Sequence, residues 1–469
     1  MDIIKNIYNY KLLKDSIYFK ITFMLWALIH SLGSGGHITG YFSPIFIIWG
    51  LLLLAKNLIS KDMLIKKRYI YLIITFLLLY VITIFYNRQF NFVGNVKSLI
   101  WTSIMLLVIF INEYTADREK VFNDIRKISI ALTISICILS LIALIMFCFD
   151  VSYQVNRGDG KLIPQGFWAA RLWGIYVDPN QGATIAMMSI LASIILLLRK
   201  NKNLKIINII SVMNIIIQYI FIILTGSRGG EIAFIFVLTG LIYLFADYIL
   251  RNKLRNKYVR KIFVAIMGGI IAFFIIGTFD DTRVILGKVP SLTMQSQKII
   301  SNKLGVDIGK HEGNITMVRP DVGEGKEVSN GRLTLWKDGF RLIKHSPIFG
   351  FGDRNIFLKA KELTPGSSLE KQYVHNGFIH MVLSGGIVAG ITMLLLLFFA
   401  IIDIVKIVFT SNIYTSKYYI YSCIGLIVGA SLITAIFLTE LFYQNSFIST
   451  VFWIYLGFMV SIDKKELIG

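Results

Sequence analysis

Charge is scarce in this 469-residue sequence: Asp, Glu, Lys and Arg together make 16% of it, and 27 acidic residues face 48 basic ones. A soluble domain carries about a quarter of its residues charged, so an ordinary water-soluble globular protein is excluded. The 3 cysteines, Cys137, Cys148 and Cys423, all fall within apolar runs, where a thiol packs as a small hydrophobe. Neither a disulfide framework nor a zinc site follows from them. The H-E-x-x-H pattern of helix-borne zinc enzymes is absent. A D-x-D metal motif is absent too, which counts against a nucleotide-sugar transferase. No small-residue cleavage site closes the first apolar stretch, which therefore reads as an uncleaved first helix.

What is present is apolar: 55% of residues are hydrophobic and the mean hydropathy is +0.68. A span needs about 20 such residues to cross about 30 Å of hydrocarbon. Twelve segments qualify, near residues 18–33, 41–59, 69–86, 96–112, 128–149, 176–198, 206–224, 231–250, 262–277, 377–402, 416–438 and 446–462. The chain reads as an all-α polytopic membrane protein of about twelve transmembrane helices. Residues 1–277 carry spans one to nine, 278–376 form a large extracytoplasmic loop, and 377–469 carry spans ten to twelve.

The charges between spans set the orientation. Residues 56–68, 199–205 and 251–261 are dense in Lys and Arg, whereas 34–40 have no charge, 87–97 hold Arg88 and Lys97, and 225–230 hold Arg228. The positive-inside rule then puts the dense loops, residues 113–127 and both termini in the cytoplasm. That orientation accounts for most of the +21 net charge, so nucleic acid is not an expected partner. The loop 278–376 has fifteen basic and eleven acidic residues, and loops of that length cross regardless of charge. Within it, Leu333, Trp336, Phe340 and Ile343 recur at helical spacing up to Pro347, the pattern of an amphipathic helix at the membrane surface.

Four polar motifs gather on the outer face in this topology. "TGSRGG" (225–230) places Arg228 in a tight turn, where glycines let backbone N–H groups approach an anion. Arg332 opens the amphipathic helix, His375 and Asn376 close the long loop, and "DPN" places Asp178 and Asn180 at the entry of span six. Each has a plainer reading: Arg228 as a headgroup anchor, Arg332 as a solvated charge, Asp178 and Asn180 as helix caps, His375 as a pin between loop and helix. Gly385, Gly386 and Gly390 fit close helix packing, and His380 is read as structural. "GDGK" (158–161) and "GEGK" (323–326) lack P-loop spacing and read as turns.

"TGSRGG", "GRLTLW" (331–336) with "HSPIFGFG" (345–352), and "HNGFIHMVLSGGIVAG" (375–390) resemble, in that order, the O-antigen ligase and polymerase superfamily of bacterial membranes. The resemblance implies a metal-independent glycosyltransferase of the GT-C type without a cofactor. Its donor is a glycan on undecaprenyl diphosphate at the outer leaflet of the cytoplasmic membrane, with a flippase and a chain-length regulator as pathway partners. It implies further that Arg228 and Arg332 hold the diphosphate, that His375 is the general base, and that Asn376, Asp178 and Asn180 contribute to substrate binding.

The chemistry asks for such residues in its own right. Guanidiniums stabilise charge developing on a diphosphate leaving group through bidentate bonds. A sugar hydroxyl is too weakly acidic to ionise alone and needs a base of near-neutral pKa, which histidine supplies. Direct attack inverts the anomeric centre and needs no covalent carboxylate. Polymerisation of repeat units is the reading taken for O-antigen, capsule or exopolysaccharide, because nothing points specifically to a lipid A-core or pilin acceptor. A ligase is the alternative. Transport is disfavoured because charges lie at span ends rather than at the bilayer midplane.

Overall fold

The computed structural model describes residues 15–59, 69–111, 118–157, 160–198, 205–251, 253–254, 256–304, 315–320, 329–410 and 415–461. The basic stretches 60–68 and 199–204, the "GEGK" turn and both termini lie outside the described residues.

The chain is a helical, multi-pass membrane protein. Its apolar helices are α1 (Ser16–His30), α2 (Gly35–Ile59), α3 (Ile70–Tyr86), α4 (Phe92–Ile104, continued by a π-helical turn Met105–Ile109), α5 (Arg118–Cys148), α6 (Pro179–Leu198), α7 (Lys205–Thr225), α8 (Arg228–Leu250) and α9 (Lys257–Gly277). Among the described residues nine helices are long and apolar enough to cross a bilayer, while α1, α3 and the C-terminal helix at Phe447–Val460 are shorter. At 1.5 Å per residue such a helix of about 15 residues reaches only about 22 Å. The span expected from 128 begins ten residues earlier, because Arg118 to Lys127 continue the same helix as a polar extension.

Short helices α10 (Phe279–Leu286), α11 (Val289–Leu292) and α12 (Met294–Leu304) open the long loop. Next come α13 (Arg332–Ile343) and α14 (Ile356–Leu363), and then α15 (Gly377–Thr410), α16 (Ser416–Ala435) and α17 (Phe447–Val460). The centre is formed by α6 and α16, buried along most of their length. Their neighbours are bound by apolar contact and by buried amides: Asn214 donates to Ser189 and Ser193 Oγ, both at 2.8 Å, and Gln218 Oε1 accepts from Ser140 Oγ of α5 at 2.8 Å. Interhelical bonds of this kind hold helices where no water competes.

Three features depart from expectation. The fold is not wholly α: Ser152–Asn156, Leu162–Trp168 and Arg171–Gly174 form a three-stranded antiparallel sheet, β1-β2-β3, between α5 and α6. The helix α13 buries Leu335, Gly339 and Leu342, whereas Leu333 and Phe340 are exposed. Its inner face therefore centres on 335, 339 and 342, against Val374 and Ile379 in a satellite core, with Trp336 and Ile343 of the face read from the sequence packed beside them. Finally, Gly386 is not a helix-packing glycine. With φ +81 and ψ 172 it breaks α15, and the loop backbone enters the break: Phe351 N donates to Leu383 O, Gly352 N to Ser384 O, and Ile387 N to Pro347 O. A Cβ there would lie 1.9 Å from Ile348 O, so only glycine fits. The loop satisfies the carbonyls that the broken helix leaves open, a condition for irregular backbone inside a membrane protein.

Candidate active site

The junction of α7 and α8 is a turn built to project one arginine. Gly226 has φ +53, and Ser227 caps α8 by accepting from Gly230 N at 3.0 Å. The Ser227 hydroxyl donates to Asn180 Oδ1 at 2.8 Å, and Arg171 donates to the same oxygen at 2.7 Å. Asn180 is anchored in turn, its backbone and side-chain N–H groups donating to Asp178 Oδ1 at 2.7 and 2.9 Å. The "DPN" and "SRGG" turns are thus one hydrogen-bonded unit. Asn180 is engaged within it as a positioning residue, and Arg228 follows the cap at the first helical position.

More arginines converge on this turn than the motifs disclose. Arg171 Nε donates to Thr225 O at 2.9 Å, Arg319 donates to Gly226 O, and Arg283 donates to Ala170 O. Arg332, half-buried at the start of α13, lies with its guanidinium carbon 5.3 Å from the Phe437 ring centre. Burial lowers its pKa, Asp178 opposes this, and Arg228 and Arg319 add to it. It stays a cation at neutral pH, as a guanidinium does. Arg228, Arg319, Arg332 and Asp178 therefore share one electrostatic neighbourhood.

His375 is coupled to the same neighbourhood through Asp178 and Arg332. Its backbone is left-handed, with φ +47, two residues before the first residue of α15. Asn376 caps that helix, its Oδ1 accepting from Phe378 N and Ile379 N, both at 3.0 Å. The side-chain oxygen is thereby committed, and Asn376 acts here as a cap that orients its neighbour. Burial pulls the His375 imidazole below its ordinary 6.5, Asp178 raises it, and Arg332 lowers it. At pH 7 it is neutral, the form a base needs.

Compared with known families, residues 213–394 match the family model described as O-antigen ligase. That match supports the O-antigen ligase and polymerase superfamily over this stretch of the chain. No curated protein matches it. The matched stretch takes in Arg228, Arg332 and His375, while Asp178, Asn180 and everything after residue 394 lie outside it.

His375 and Asp178 also line a cavity of about 550 Å³, whereas Arg228 and Arg332 do not. The cavity exposes groups that sequence reasoning passed over. Glu440, between α16 and α17, is held by Gln181, whose amide donates to both carboxylate oxygens at 3.0 and 2.9 Å. Burial pushes the Glu440 carboxyl up to about 7. Asp353, behind the wall, accepts from His380 Nε2 at 2.9 Å, Gln444 Nε2 at 3.0 Å and Ser98 Oγ at 3.3 Å, and pairs with Arg354 Nε at 3.0 Å. His380 is thus fully buried and serves this carboxylate rather than the cavity. Among the described residues no three His, Cys, Asp or Glu side chains gather as a metal site requires.

Proposed function

We propose that this chain is an inverting glycosyltransferase that polymerises undecaprenyl-diphosphate-linked oligosaccharide units on the outer face of the bacterial cytoplasmic membrane. In this reading it has twelve crossings, with α1, α3 and α17 completing the nine long ones, and both termini inside. What supports it is the half-buried His375 on one cavity wall with Asp178, with Arg228 and Arg332 opening α8 and α13 in the stretch that matches the family. Arg228 and Arg332 bind the donor diphosphate. As the acceptor oxygen bonds to the anomeric carbon, the bond from that carbon to the diphosphate breaks. The electron pair leaves on the diphosphate, and the hydroxyl proton passes to His375. Asp178 stabilises the imidazolium that results. The second reading is a ligase that passes the finished glycan to lipid A-core or a protein, and the family match supports both alike.

Purified protein supplied with a lipid-linked repeat unit tests the proposal. Elongated lipid-linked product is expected, and glycan found on a different added acceptor means ligase. Movement of lipid across a vesicle without bond formation would remove the transferase reading. The orientation is tested with Lys371→Cys, an exposed position before α15. An impermeant thiol reagent should label it in intact cells, after outer-membrane permeabilisation where there is one. Labelling only after lysis would reverse the topology.

A further inference from the structure

The donor site of that reading, on which the following inference rests, needs two arginines from distant parts of the chain to meet one diphosphate. Arg228 stands at the turn between α7 and α8, and Arg332 opens α13 in the long loop. We propose that Arg319 and Arg283, both of the long loop, are positioning residues that fasten the Arg228 turn and so set the spacing of the two donor arginines.

The contacts converge on neighbouring parts of the backbone. Arg319 donates to Gly226 O, within the turn itself. Arg283 donates to Ala170 O, one residue before the Arg171 that donates to Thr225 O at 2.9 Å. Gly226 has φ +53, and a Cβ added to it would lie 2.9 Å from Arg283 Nη2 and 3.0 Å from its Cζ. The Arg283 guanidinium therefore packs against the α-carbon of the glycine, and a side chain at 226 would displace it as well as strain the backbone. One loop arginine is thus bonded to the turn and another is packed on it.

Those two arginines belong to one packed unit. Phe279 of α10 meets Tyr219 of α7 and Phe234 of α8 with ring centres 5.9 and 6.2 Å apart, which docks α10 on the helix pair that the turn joins. A Cβ on Gly287 would lie 3.0 Å from Met317 Cγ, so residues 315–320 rest on the end of α10. Arg283 and Arg319 are both buried. Burial lowers the pKa of Arg332, and Arg228 and Arg319 lower it further. Arg319 therefore stands within electrostatic reach of one donor arginine while bonded to the turn that carries the other.

The cost of these contacts argues for a role beyond tying down a loop. Carbonyls at a helix end need partners, and water or a hydroxyl would serve. Burying a guanidinium costs more than burying a hydroxyl. What the guanidinium adds is a rigid plane of donors that holds its acceptor in place. A two-arginine grip gains from that rigidity, because a misplacement of about 1 Å can cost about 10²-fold.

Calorimetry of undecaprenyl diphosphate binding to the full chain in lipid nanodiscs is the test. Arg319→Gln should weaken binding about tenfold and Arg283→Gln several-fold, the size of effect typical of coupled neighbours. Because Arg319 acts through Arg228, the two losses should not add: in an Arg228→Gln background, Arg319→Gln should cost less than about twofold more. Arg319→Lys keeps one donor, which is all that Gly226 O requires, and should bind within about threefold of wild type, whereas Arg228→Lys loses the fork that a phosphate uses. That conservative variant decides the matter even where Arg319→Gln does not fold. The acid limb of kcat/KM, which reports His375, should stay in place in Arg319→Gln, since Asp178 and Arg332 are the charges that move it. Additive losses, or a loss in Arg319→Lys as large as that in Arg319→Gln, would mean that Arg319 grips phosphate itself or only supports the fold, and would overturn the inference. So would a shifted limb, or wild-type affinity in both Gln variants. Undiminished binding in Arg228→Gln and Arg332→Gln is a separate failure: it removes the donor site, and the positioning role falls with it.

Discussion

The helices α8 and α15 both begin at the end of the bundle that carries the site, each under a polar cap, Ser227 in one and Asn376 in the other. The residue each start contributes lies on opposite sides of its cap: Arg228 is the first residue within its helix, His375 the residue before its cap. A helix N-terminus carries a partial positive charge. A cation at the first helical position works against that dipole, so Arg228 gains nothing there for the helix itself. The pairing becomes favourable once an anion sits between guanidinium and free N–H groups. The imidazole before the other cap is kept neutral by burial first and by Arg332 second, against Asp178. One helix start is thus arranged to want an anion and the other to keep a base neutral.

The largest expected effect breaks the second helix start. His375→Ala should lower turnover by roughly 10²- to 10⁴-fold, the range for losing a general base, while undecaprenyl diphosphate binding measured by calorimetry persists. Equal membrane expression must be verified, because a misfolded variant mimics a catalytic one. Near-normal turnover in His375→Ala would end the assignment of the base.

Changing the first helix start should cost less, because lysine keeps the charge and loses only the planar fork. Arg228→Lys and Arg332→Lys should each reduce kcat/KM by roughly tenfold to a hundredfold, less than the loss of a whole transition-state donor. Wild-type kinetics in both would mean that these arginines merely anchor helix ends.

The contrast between the two starts was only partly visible in the sequence. Long apolar runs report themselves through hydropathy alone, so the helical, multi-pass membrane character was legible, and Arg228, Arg332 and His375 stood out as candidates, each set beside glycine or a cap residue. Arg171, Arg283 and Arg319 were not, because a lone arginine in a polar loop looks like a solvated charge until tertiary contacts aim it at a carbonyl. Glu440 and Asp353 were hidden for the same reason, their partners lying 259 residues away at Gln181 and 27 residues away at His380. The sheet escaped because its strands are short and partly buried without regular alternation. Gly386 was misread because three close glycines in an apolar run fit helix packing equally well, and the inserted loop is a long-range event.

A smaller effect separates the electrostatic neighbours of the base. Protonation removes its function, so kcat/KM should fall as pH drops through the His375 pKa, with the midpoint of that limb below 6.5. Asp178 raises this pKa and Arg332 lowers it. The midpoint should therefore move down in Asp178→Asn and up in Arg332→Gln. Profiles between about pH 5 and 8 decide, and a limb unchanged in both variants would place the titrating group elsewhere. Glu440 offers a control through stability. Its folded pKa of about 7 lies above the ordinary 4.5, so the stabilisation from holding its proton is present below about 4.5 and is lost as pH rises towards 7. Glu440→Gln should escape that loss, and its melting temperature relative to wild type should rise with pH.

The smallest effect concerns the caps themselves. Replacing a capping Ser or Asn by Ala costs about 1 kcal/mol, so Asn376→Ala and Ser227→Ala should lose similar stability in detergent-unfolding measurements. Their kinetic consequences should differ, because the caps are connected differently. Asn376 spends its oxygen within its own helix start, on Phe378 N and Ile379 N. Asn376→Asp keeps an acceptor in place and should recover stability and turnover together. Ser227 both accepts from Gly230 N and donates to Asn180, which links the turn to Asp178 and Arg171. Ser227→Ala should therefore raise the dissociation constant for undecaprenyl diphosphate, since Arg228 loses its fixed position, while Asn376→Ala leaves that constant near wild type. If both variants changed donor affinity alike, the two helix starts would form one coupled unit, and the separation of anion binding from base chemistry would not hold.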